Sequence, residues 1–321
     1  MPAATEGSER NLGDEPLVSV VMPCFNHGKF VAESAASILG QTHANLELII
    51  VDDGSRDDAR EVIRGLAARD PRVRFSFHER NMGASASRND GIGLARGEFV
   101  GFCDADDLWM PDKVAVQLAA LRRSPEYDVA YCDSIIIDEN GATDGRRFSG
   151  IYPRAARPSG RLFEELCQRN FINMQTVMLR RSCLSREALF DSRIRWVEDW
   201  WFWIGLSSRH LFLETDRPLA KYRVHSRSTS ATQHRGIEAN RLKVFARILG
   251  TFPDLTWKAR AQVWYHMAAS LEKLGWRAAS RRYLRASAAA GLRSPAAWPP
   301  AARAVARLIT GFGGPVPPAG R

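Results

Sequence analysis

Short apolar runs alternate with helical patterns from residue 18 to residue 132, and this alternation constrains the fold more than any other feature. The runs are rich in β-branched and aromatic residues, which is typical of strands buried on both faces of a sheet. They cover residues 18–25, 46–51, 73–77, 99–103 and 129–132. Amphipathic helices are predicted over residues 30–39, 58–69 and 113–122. This order predicts an α/β fold with a doubly wound, mostly parallel sheet.

Acidic residues directly follow two of the predicted strands. Asp52 and Asp53 follow the second run, and Asp104, Asp106 and Asp107 follow the fourth. Ligands of doubly wound sheets bind at the carboxyl ends of the strands, so both groups are expected at the binding edge. Two carboxylates spaced i, i+2 can face one point, and such oxygen ligands suit Mg²⁺ or Mn²⁺. The alternative is an acidic turn in which Asp106 or Asp107 caps the next helix.

The rest of the chain divides into segments of different character. Residues 1–16 predict a disordered tail, residues 17–235 the α/β domain with a loop at 140–160, residues 236–310 a helical extension, and residues 311–321 a flexible end. The net charge of +9 is unevenly placed, because the part after Arg235 is rich in arginine and poor in acids. We expect a basic helical hairpin there that docks on the α/β domain or contacts an anionic membrane surface. Simple packing or a dimer contact is the alternative.

Two further features bear on where the protein acts. The segment up to Pro16 lacks a basic-then-apolar leader, and no stretch approaches the ~20 apolar residues that span a bilayer. The five cysteines are scattered and form no C-x-x-C pair, which argues against a disulfide framework or a zinc site. We therefore expect a cytoplasmic protein, with peripheral contact at the inner face of the membrane as a further expectation. No nucleic-acid partner is expected.

Six motifs occur in one order along the chain. They are VSVVMPCFN (18–26), VDDGS (51–55), NMGASASRN (81–89), FCDADD (102–107), VEDWWFW (197–203) and YRVH (222–225). In this order and spacing they resemble the family-2 inverting glycosyltransferases of the GT-A fold, over residues 17 to about 230. The resemblance implies a metal-dependent hexosyltransferase that moves a sugar from a nucleotide diphosphate, a UDP-sugar being expected, to an acceptor hydroxyl. The implied acceptor is a saccharide or lipid-linked saccharide in cell-surface polysaccharide or glycolipid assembly.

The resemblance also implies residue roles on the donor side. Contacts to the nucleotide would come from Pro23, Asn26, Asp52, Asp53, Arg88, Asp104 and Glu198. Asp104 and Asp106 would form the D-x-D that binds Mn²⁺ or Mg²⁺, and His225 would close the site on metal or diphosphate. A divalent cation neutralises the charge that develops on the leaving diphosphate, and Arg88 can add to this. His225 as a satisfied loop histidine, or Arg88 as a partner of Asp90 or Glu79, is the alternative.

On the acceptor side the resemblance implies that Asp199 is the general base. The acceptor hydroxyl loses a proton as it attacks, so one carboxylate must lie within hydrogen-bond reach. A single base opposite the leaving group predicts inversion at the anomeric carbon. The alternative for Asp199 is a cap or an ion pair at a helix start.

The tryptophans near Asp199 have two interpretations. Trp196, Trp200 and Trp203 fall at helical spacing, which is typical of core residues. An indole also stacks on the apolar face of a sugar, so Trp200 or Trp201 can line an acceptor subsite. This density of indoles departs from the family pattern, so it does not define the acceptor.

Two other functions compete with a glycosyltransferase. The first is a sugar-nucleotide pyrophosphorylase, which requires a glycine-rich basic loop after the first strand. Residues 23–29 (PCFNHGK) contain only one glycine, which argues against this enzyme. The second is an inactive transferase-like module that scaffolds a polysaccharide assembly complex, since fold alone does not fix function.

Overall fold

The computed structural model describes residues 15–151, 159–185, 189–228 and 232–291. Most of the predicted N-terminal tail and all of residues 292–321, including the predicted flexible end, lie outside this part. The chain forms two compact units. The first contains Met1–Arg161, Phe171–Ser192 and Gly205–His225, and the second contains Leu162–Asn170, Arg193–Ile204 and Ser226–Arg321. The boundary at residue 235 between the α/β domain and the helical extension stays a prediction.

Within its described residues, the first unit has one eight-stranded sheet. The strands are β1 (Val18–Cys24), β2 (Leu46–Asp52), β3 (Val73–Phe77), β4 (Phe99–Phe102), β5 (Leu108–Trp109), β6 (Val129–Ile137), β7 (Met178–Arg180) and β8 (Phe212–Arg223). Their order is β3-β2-β1-β4-β7-β6-β8-β5. The pairs β1–β2, β2–β3, β1–β4 and β6–β8 are parallel, and those of β7 with β4 and β6, and of β5 with β8, are antiparallel. The predicted parallel sheet is thus present in its first half, and the second half is mixed.

Five helices of this unit follow individual strands. They are α1 (Gly28–Leu39), α2 (Ala59–Arg69), α3 (Ala84–Leu94), α4 (Lys113–Arg123) and the short α5 (Phe148–Ile151). The predicted loop over 140–160 is therefore wrong at α5. The sequence did not predict α3, because its serines and glycines are weak helix formers. Packing explains the difference: a Cβ at Gly91 would lie 2.3 Å from a methyl of Val21, so the glycine lets α3 approach β1 closely.

The core of the first unit forms because β1 and β2 are apolar on both faces. Every residue of β2 is buried, and helices cover the sheet with apolar side chains such as Val31, Ile38 and Ile63. Full burial of one such side chain stabilises the fold by roughly 1.5–3 kcal/mol. The five cysteines are also buried and form no disulfide.

Lys113 is a buried cation at the start of α4. Among the described residues its Nζ has one hydrogen-bond partner, Oε1 of Gln117, at 2.7 Å. Nζ also lies 3.9 Å from the centre of the Trp109 ring. Burial lowers the pKa of Lys113 from its ordinary value of 10.5 to about 8. The ammonium form therefore destabilises the folded state at neutral pH.

We expect Lys113→Met to stabilise the protein at pH 7 and the gain to disappear near pH 10. The unfolded chain keeps the Lys113 proton up to about pH 10.5 and the folded protein only up to about pH 8, so wild-type stability rises with pH between these values. The difference of about 3 kcal/mol, less about 1 kcal/mol for the lost hydrogen bond, leaves a gain of about 2 kcal/mol. Urea unfolding at both pH values measures it, with the exposed Lys258→Met as control. An equal gain at both pH values would contradict a buried ammonium.

The described residues of the second unit are largely helical, as predicted. Its helices are α6 (Phe163–Gln168), most of α7 (Glu198–Ser207), α8 (His234–Thr251), α9 (Trp257–Lys273) and α10 (Arg277–Gly291). Thr256 caps α9 by accepting from Ala259 N at 3.2 Å, and Gly275, with φ +83°, turns the chain into α10. Ser280 and Ser287 of α10 donate to carbonyl groups of α9, so the two helices form the predicted hairpin. None of the described helices combines the length and apolarity needed to cross a membrane.

Candidate functional site

The acidic groups that follow β2 and β4 lie at the carboxyl edge of the first unit's sheet. Asp52 ends β2 and pairs with Cys24 at the end of β1. β4 ends at Phe102, two residues before Asp104. Because β1, β2 and β4 run parallel, the loops that follow them meet at one edge, as binding loops of doubly wound sheets do.

Hydrogen bonds join the loop after β1 to the loop after β2. Asn26 N donates to Ser55 Oγ at 2.9 Å, and Arg56 N donates to Asn26 Oδ1 at 2.8 Å. Asn26 has a φ of 56°, a left-handed conformation that asparagine adopts more readily than most residues. At Gly54, φ is +76° and a Cβ would lie 2.7 Å from the backbone of Arg80. The loop shape at this corner therefore depends on Asn26 and Gly54.

Asp53 is buried and holds the loop that precedes α3. Its Oδ1 accepts from Met82 N at 2.7 Å and its Oδ2 accepts from Gly83 N at 2.7 Å. The two ring nitrogens of His78 lie 2.8 Å from Asp53 Oδ1 and 2.8 Å from Asp90 Oδ2. Burial opposes the charged imidazole, but these two carboxylates raise the pKa of His78. Asp53 thus has a structural role that its motif does not reveal.

Asp52 is fully buried and differs from Asp53 in its partners. Its Oδ1 accepts from Arg60 Nε at 2.7 Å, whereas its Oδ2 has no hydrogen-bond partner among the described residues. Pro23 is half-buried in β1 and pairs with Val51, next to Asp52. The predicted nucleotide-contacting residues Pro23, Asn26, Asp52 and Asp53 are therefore brought to one corner of the sheet.

Arg88 connects α3 to the acidic segment after β4. Its side chain is buried, and its Nη2 donates to Asp104 Oδ1 at 2.7 Å. Its guanidinium carbon lies 5.5 Å from the centre of the Phe190 ring. Arg88 is thus the partner of Asp104 and fixes the orientation of that carboxylate.

Asp106 forms a group with two histidines, which we call the His27–Asp106–His225 group. His225 Nε2 lies 3.1 Å from Asp106 Oδ2, and His27 Nδ1 lies 3.9 Å from Asp106 Oδ1. One ligand atom of each residue lies within 4.8 Å of the others. Burial raises the pKa of Asp106, but the hydrogen bond with His225 and the nearby His27 outweigh it, so the net shift is downward. A charged carboxylate and two imidazoles can bind a divalent cation.

Arg223 and Asp107 support this group. The backbone N of Arg223 donates to Asp107 Oδ1 at 2.8 Å, and its Nε donates to the carbonyl of Asp106 at 2.8 Å. Its Nη2 donates to Glu33 on α1 at 2.6 Å. Burial, together with the charges of Asp106 and Asp104, raises the pKa of Asp107 well above its ordinary value. Arg223 therefore ties the acidic segment, α1 and the residues before His225 together.

The sequence predicted only part of the His27–Asp106–His225 group. Asp106 and His225 lie together, whereas Asp104 is bound by Arg88 and stands outside the group; the metal-binding roles of Asp104, Asp106 and His225 stay predictions. The motifs assign no role to His27 or Arg223, although His27 directly follows VSVVMPCFN and Arg223 lies in YRVH. His27 follows a strand that ends at the binding edge, and this position is the signal that could have identified it.

Glu198 and Asp199 lie in the second unit, in the first turn of α7. Asp199 Oδ2 accepts from Asn170 Nδ2 at 3.0 Å, and its Oδ1 accepts from Trp200 N at 2.7 Å. Glu198 is buried. The bond from Trp200 N to Asp199 lies at the start of a helix, which agrees with the alternative that Asp199 caps this helix. The role of Asp199 as general base therefore stays a prediction.

The tryptophans of α7 divide into core and partly exposed positions. Trp203 is fully buried, and Trp200 is buried with its Nε1 donating to the carbonyl of Leu166 at 2.6 Å. Trp201 is half-buried, and the centre of its ring lies 5.6 Å from the guanidinium carbon of Arg247. The core interpretation therefore describes Trp200 and Trp203, and of the two proposed acceptor-lining residues only Trp201 retains exposed surface.

A second group with metal-ligand chemistry lies at the opposite edge of the sheet, before β6. His210 Nδ1 is 2.8 Å from Asp128 Oδ2 and 3.7 Å from Cys183 Sγ. Burial raises the pKa of the Cys183 thiol to about 12, so the thiol is protonated at neutral pH. Arg180 lies 4.0 Å from Asp128 and offsets its charge. This arrangement is consistent with a structural ion pair.

Comparison with known proteins identifies the family. The protein-family model described as Glycosyl transferase family 2 matches residues 19–186, more than half of the chain. The chain belongs to glycosyltransferase family 2. It is 35% identical over 207 residues to an uncharacterized glycosyltransferase of Rickettsia felis, covering 64% of this chain and 33% of that protein. It therefore spans about a third of the length of several curated relatives.

Other similar proteins are covered over most of their length. WfgD of Escherichia coli, described as a UDP-Glc:alpha-D-GlcNAc-diphosphoundecaprenol beta-1,3-glucosyltransferase, is 26% identical over 254 residues, covering 78% of this chain and 91% of WfgD. TarS 1–349 of S. aureus with UDP-GlcNAc has a TM-score of 0.62 at 18% identity, covering 85% and 81% of the two chains. The mannosyltransferase PcManGT of Pyrobaculum calidifontis, with GDP-Man and Mn²⁺, has a TM-score of 0.61 at 19% identity, covering 93% and 87%. The fold of this family-2 glycosyltransferase is the predicted GT-A fold.

Proposed function

We propose that this chain is a metal-dependent, inverting glycosyltransferase that moves a sugar from a nucleotide diphosphate donor to an acceptor hydroxyl. The observation that carries the proposal is the meeting of Asp106 and His225 at the carboxyl edge, next to Asp104 and its partner Arg88. A UDP-sugar is the first donor to test. WfgD is described with UDP-Glc and TarS with UDP-GlcNAc, whereas PcManGT is described with GDP-Man.

The nucleoside is proposed to bind at the corner formed by Pro23, Asn26, Asp52 and Asp53. Two carboxylates at a strand end offer acceptors to the N–H and hydroxyl groups of a base and a ribose. Asp53 accepts three hydrogen bonds and a carboxylate has about four acceptor positions, so one remains for a ligand. Asp52 retains an oxygen with no partner among the described residues.

The divalent cation is proposed to bind at the His27–Asp106–His225 group. The residues fit such an ion: the lowered pKa keeps Asp106 charged, and the buried Nδ1 of His27 has no hydrogen-bond partner in the described part of the chain. When bound, the cation neutralises charge on the leaving diphosphate. Arg88, which holds Asp104, is proposed to add positive charge beside the donor.

Asp199 is proposed to accept the proton of the attacking hydroxyl. Its Oδ2 is held by Asn170, which orients the carboxylate without neutralising it. Attack with one base, opposite the leaving group, inverts the anomeric carbon. Glu198 is proposed to contact the donor. The proposed acceptor is a saccharide or lipid-linked saccharide of a surface polysaccharide or glycolipid.

Nucleotide release from a panel of UDP-, GDP- and dTDP-sugars, with Mn²⁺ or Mg²⁺, tests this function. Slow release from one donor, abolished by chelation, would support a metal-dependent transferase and identify the nucleotide. No release from any donor, together with no thermal stabilisation by any donor, would favour the second candidate, an inactive scaffold of an assembly complex.

We also propose peripheral contact with an anionic membrane through α10. This helix has no acidic residue, and Arg281, Arg282 and Arg285 are exposed on it. Trp276, just before it, is 60% exposed and suits the membrane interface. Basic residues near an anionic surface contribute about 1 kcal/mol each.

Replacement of Arg281, Arg282 and Arg285 by glutamine should therefore weaken binding to phosphatidylglycerol vesicles by about a hundredfold. Co-sedimentation at low salt measures the partition coefficient, and phosphatidylcholine vesicles should bind neither protein. Glutamine at Arg64, Arg122 and Arg123, exposed residues of the first unit, is a control with the same loss of charge. Equal weakening by both triple variants would show that net charge matters and α10 does not.

A further inference from the structure

We propose that His27 is a direct ligand of the cation, so that two imidazoles and one carboxylate of this chain hold the metal. This inference rests on the proposed function and adds a ligand that the D-x-D motif does not contain. The ligand atoms of His27, Asp106 and His225 lie within 4.8 Å of one another. Octahedral ligands about 2.1 Å from an ion are about 3 Å apart when adjacent and about 4.2 Å when opposite, so small shifts suffice.

The imidazole of His27 lacks the partners that a structural histidine has. Its Nδ1 is buried and without a hydrogen-bond partner among the described residues, although a buried polar atom normally has one. The nearest carboxylate oxygen is Asp106 Oδ1, at 3.9 Å, which is too long for a hydrogen bond. By contrast, both ring nitrogens of His78 are bonded to carboxylates. An ion between His27 and Asp106 would satisfy both side chains.

The position of His27 is fixed independently of any ion. It is the residue before α1, and its carbonyl accepts from Phe30 N and Val31 N, both at 2.9 Å. Its ring packs edge-on against His225, with ring centres 5.9 Å apart, and against Phe30 at 6.2 Å. The imidazole is therefore oriented toward the other two residues before a ligand arrives.

His27 takes the place that the motif would give to Asp104. Asp104 Oδ1 is bound by Arg88 at 2.7 Å, which draws that carboxylate to α3. The resulting donor set has two nitrogens and one oxygen. Imidazole nitrogen suits first-row transition ions, of which Mn²⁺ binds least tightly, whereas Mg²⁺ keeps oxygen ligands and its waters. We therefore expect the protein to bind Mn²⁺ much more tightly than Mg²⁺, and His27 to be a main cause of this preference.

The test is Mn²⁺ binding to the full chain, measured by the electron paramagnetic resonance of free Mn²⁺ without any donor. We expect His27→Ala to raise the Kd for Mn²⁺ about tenfold or more, as His225→Ala does, and to change the Kd for Mg²⁺ less. His27→Asn repeats the measurement with a smaller change of shape, and circular dichroism verifies folding of each variant. His210→Ala is the matched control, because His210 also pairs with an aspartate, at 2.8 Å, but at the opposite edge.

The possible outcomes distinguish a failure of this inference from a failure of the proposed metal-dependent function. If His225→Ala and Asp106→Ala lose Mn²⁺ while folded His27→Ala and His27→Asn bind it like wild type, His27 is not a ligand and the proposed metal site stands. If His210→Ala alone loses Mn²⁺, the ion occupies the group before β6 and the inference is overturned. If Asp106→Ala binds Mn²⁺ unchanged, the metal-dependent function itself fails.

Discussion

Asp106→Ala is expected to lower metal-dependent nucleotide release by about a thousandfold, which corresponds to about 4 kcal/mol of transition-state stabilisation. Asp106 supplies the one carboxylate of the His27–Asp106–His225 group, and both histidines face its oxygens. Without it, two imidazoles remain with no anionic ligand beside them, so the cation binds weakly. The measurement is the initial rate of nucleotide release at saturating donor, over a range of Mn²⁺ concentrations.

Asp128→Ala is the matched control for Asp106→Ala. Asp128 also pairs with a histidine, at 2.8 Å, but it lies at the opposite edge of the sheet. The control should retain its rate, although some loss of thermal stability is expected because His210 loses its partner. An Asp106→Ala protein that keeps full biological activity would contradict the proposed enzymatic function and favour an inactive scaffold.

Asp199→Asn is expected to lower the rate of sugar transfer by roughly 10²–10⁴-fold while leaving donor and Mn²⁺ affinities unchanged. The amide oxygen of asparagine can still accept from Trp200 N, so the contact at the start of α7 is preserved, while its amide nitrogen replaces the oxygen that accepts from Asn170. It cannot take a proton from the acceptor hydroxyl. The measurement combines single-turnover transfer to a saccharide acceptor with donor binding by calorimetry.

This design separates a general base from a helix-start residue. If Asp199 only stabilises the beginning of α7, asparagine preserves that contact and the rate should stay near wild type. Glu165→Gln, an exposed acid in the first turn of α6 of the same unit, controls for loss of one negative charge. A normal rate for Asp199→Asn would remove the base from the mechanism, whereas the metal site would be unaffected.

The sequence predicts the first half of the sheet well because its strands are buried on both faces. Continuous apolar runs such as β1 and β2 have no other stable placement, and the helices between them have a clear apolar stripe. β8 was not predicted, since it mixes charged residues such as Glu214 and Lys221 with Pro218 and one end pairs with the two-residue β5. Long-range pairing, which local patterns do not encode, decides such strands.

The same distinction applies to the site. The acidic motifs identify the carboxyl edge of the sheet, and the structure places Asp106 beside His225 there. The contact between Arg88 and Asp104 was not predictable, because it depends on which nearby carboxylate the buried guanidinium reaches. A single histidine after a strand carries no pattern, and its meaning appears only when His225, far along the chain, is placed beside it.

The contacts of Arg223 with Asp106, Asp107 and Glu33 bear on the order in which the first unit folds. The three residues of the His27–Asp106–His225 group come from the loops after β1, β4 and β8, so the group is complete only when the final strand has paired with β6. Arg223 then locks the assembly by contacting Asp106, Asp107 and Glu33 at once. Contacts between distant parts of a chain form late, because closing long loops costs entropy. A cation bound at this group, as proposed, would therefore stabilise the finished sheet over forms in which β8 has not yet paired.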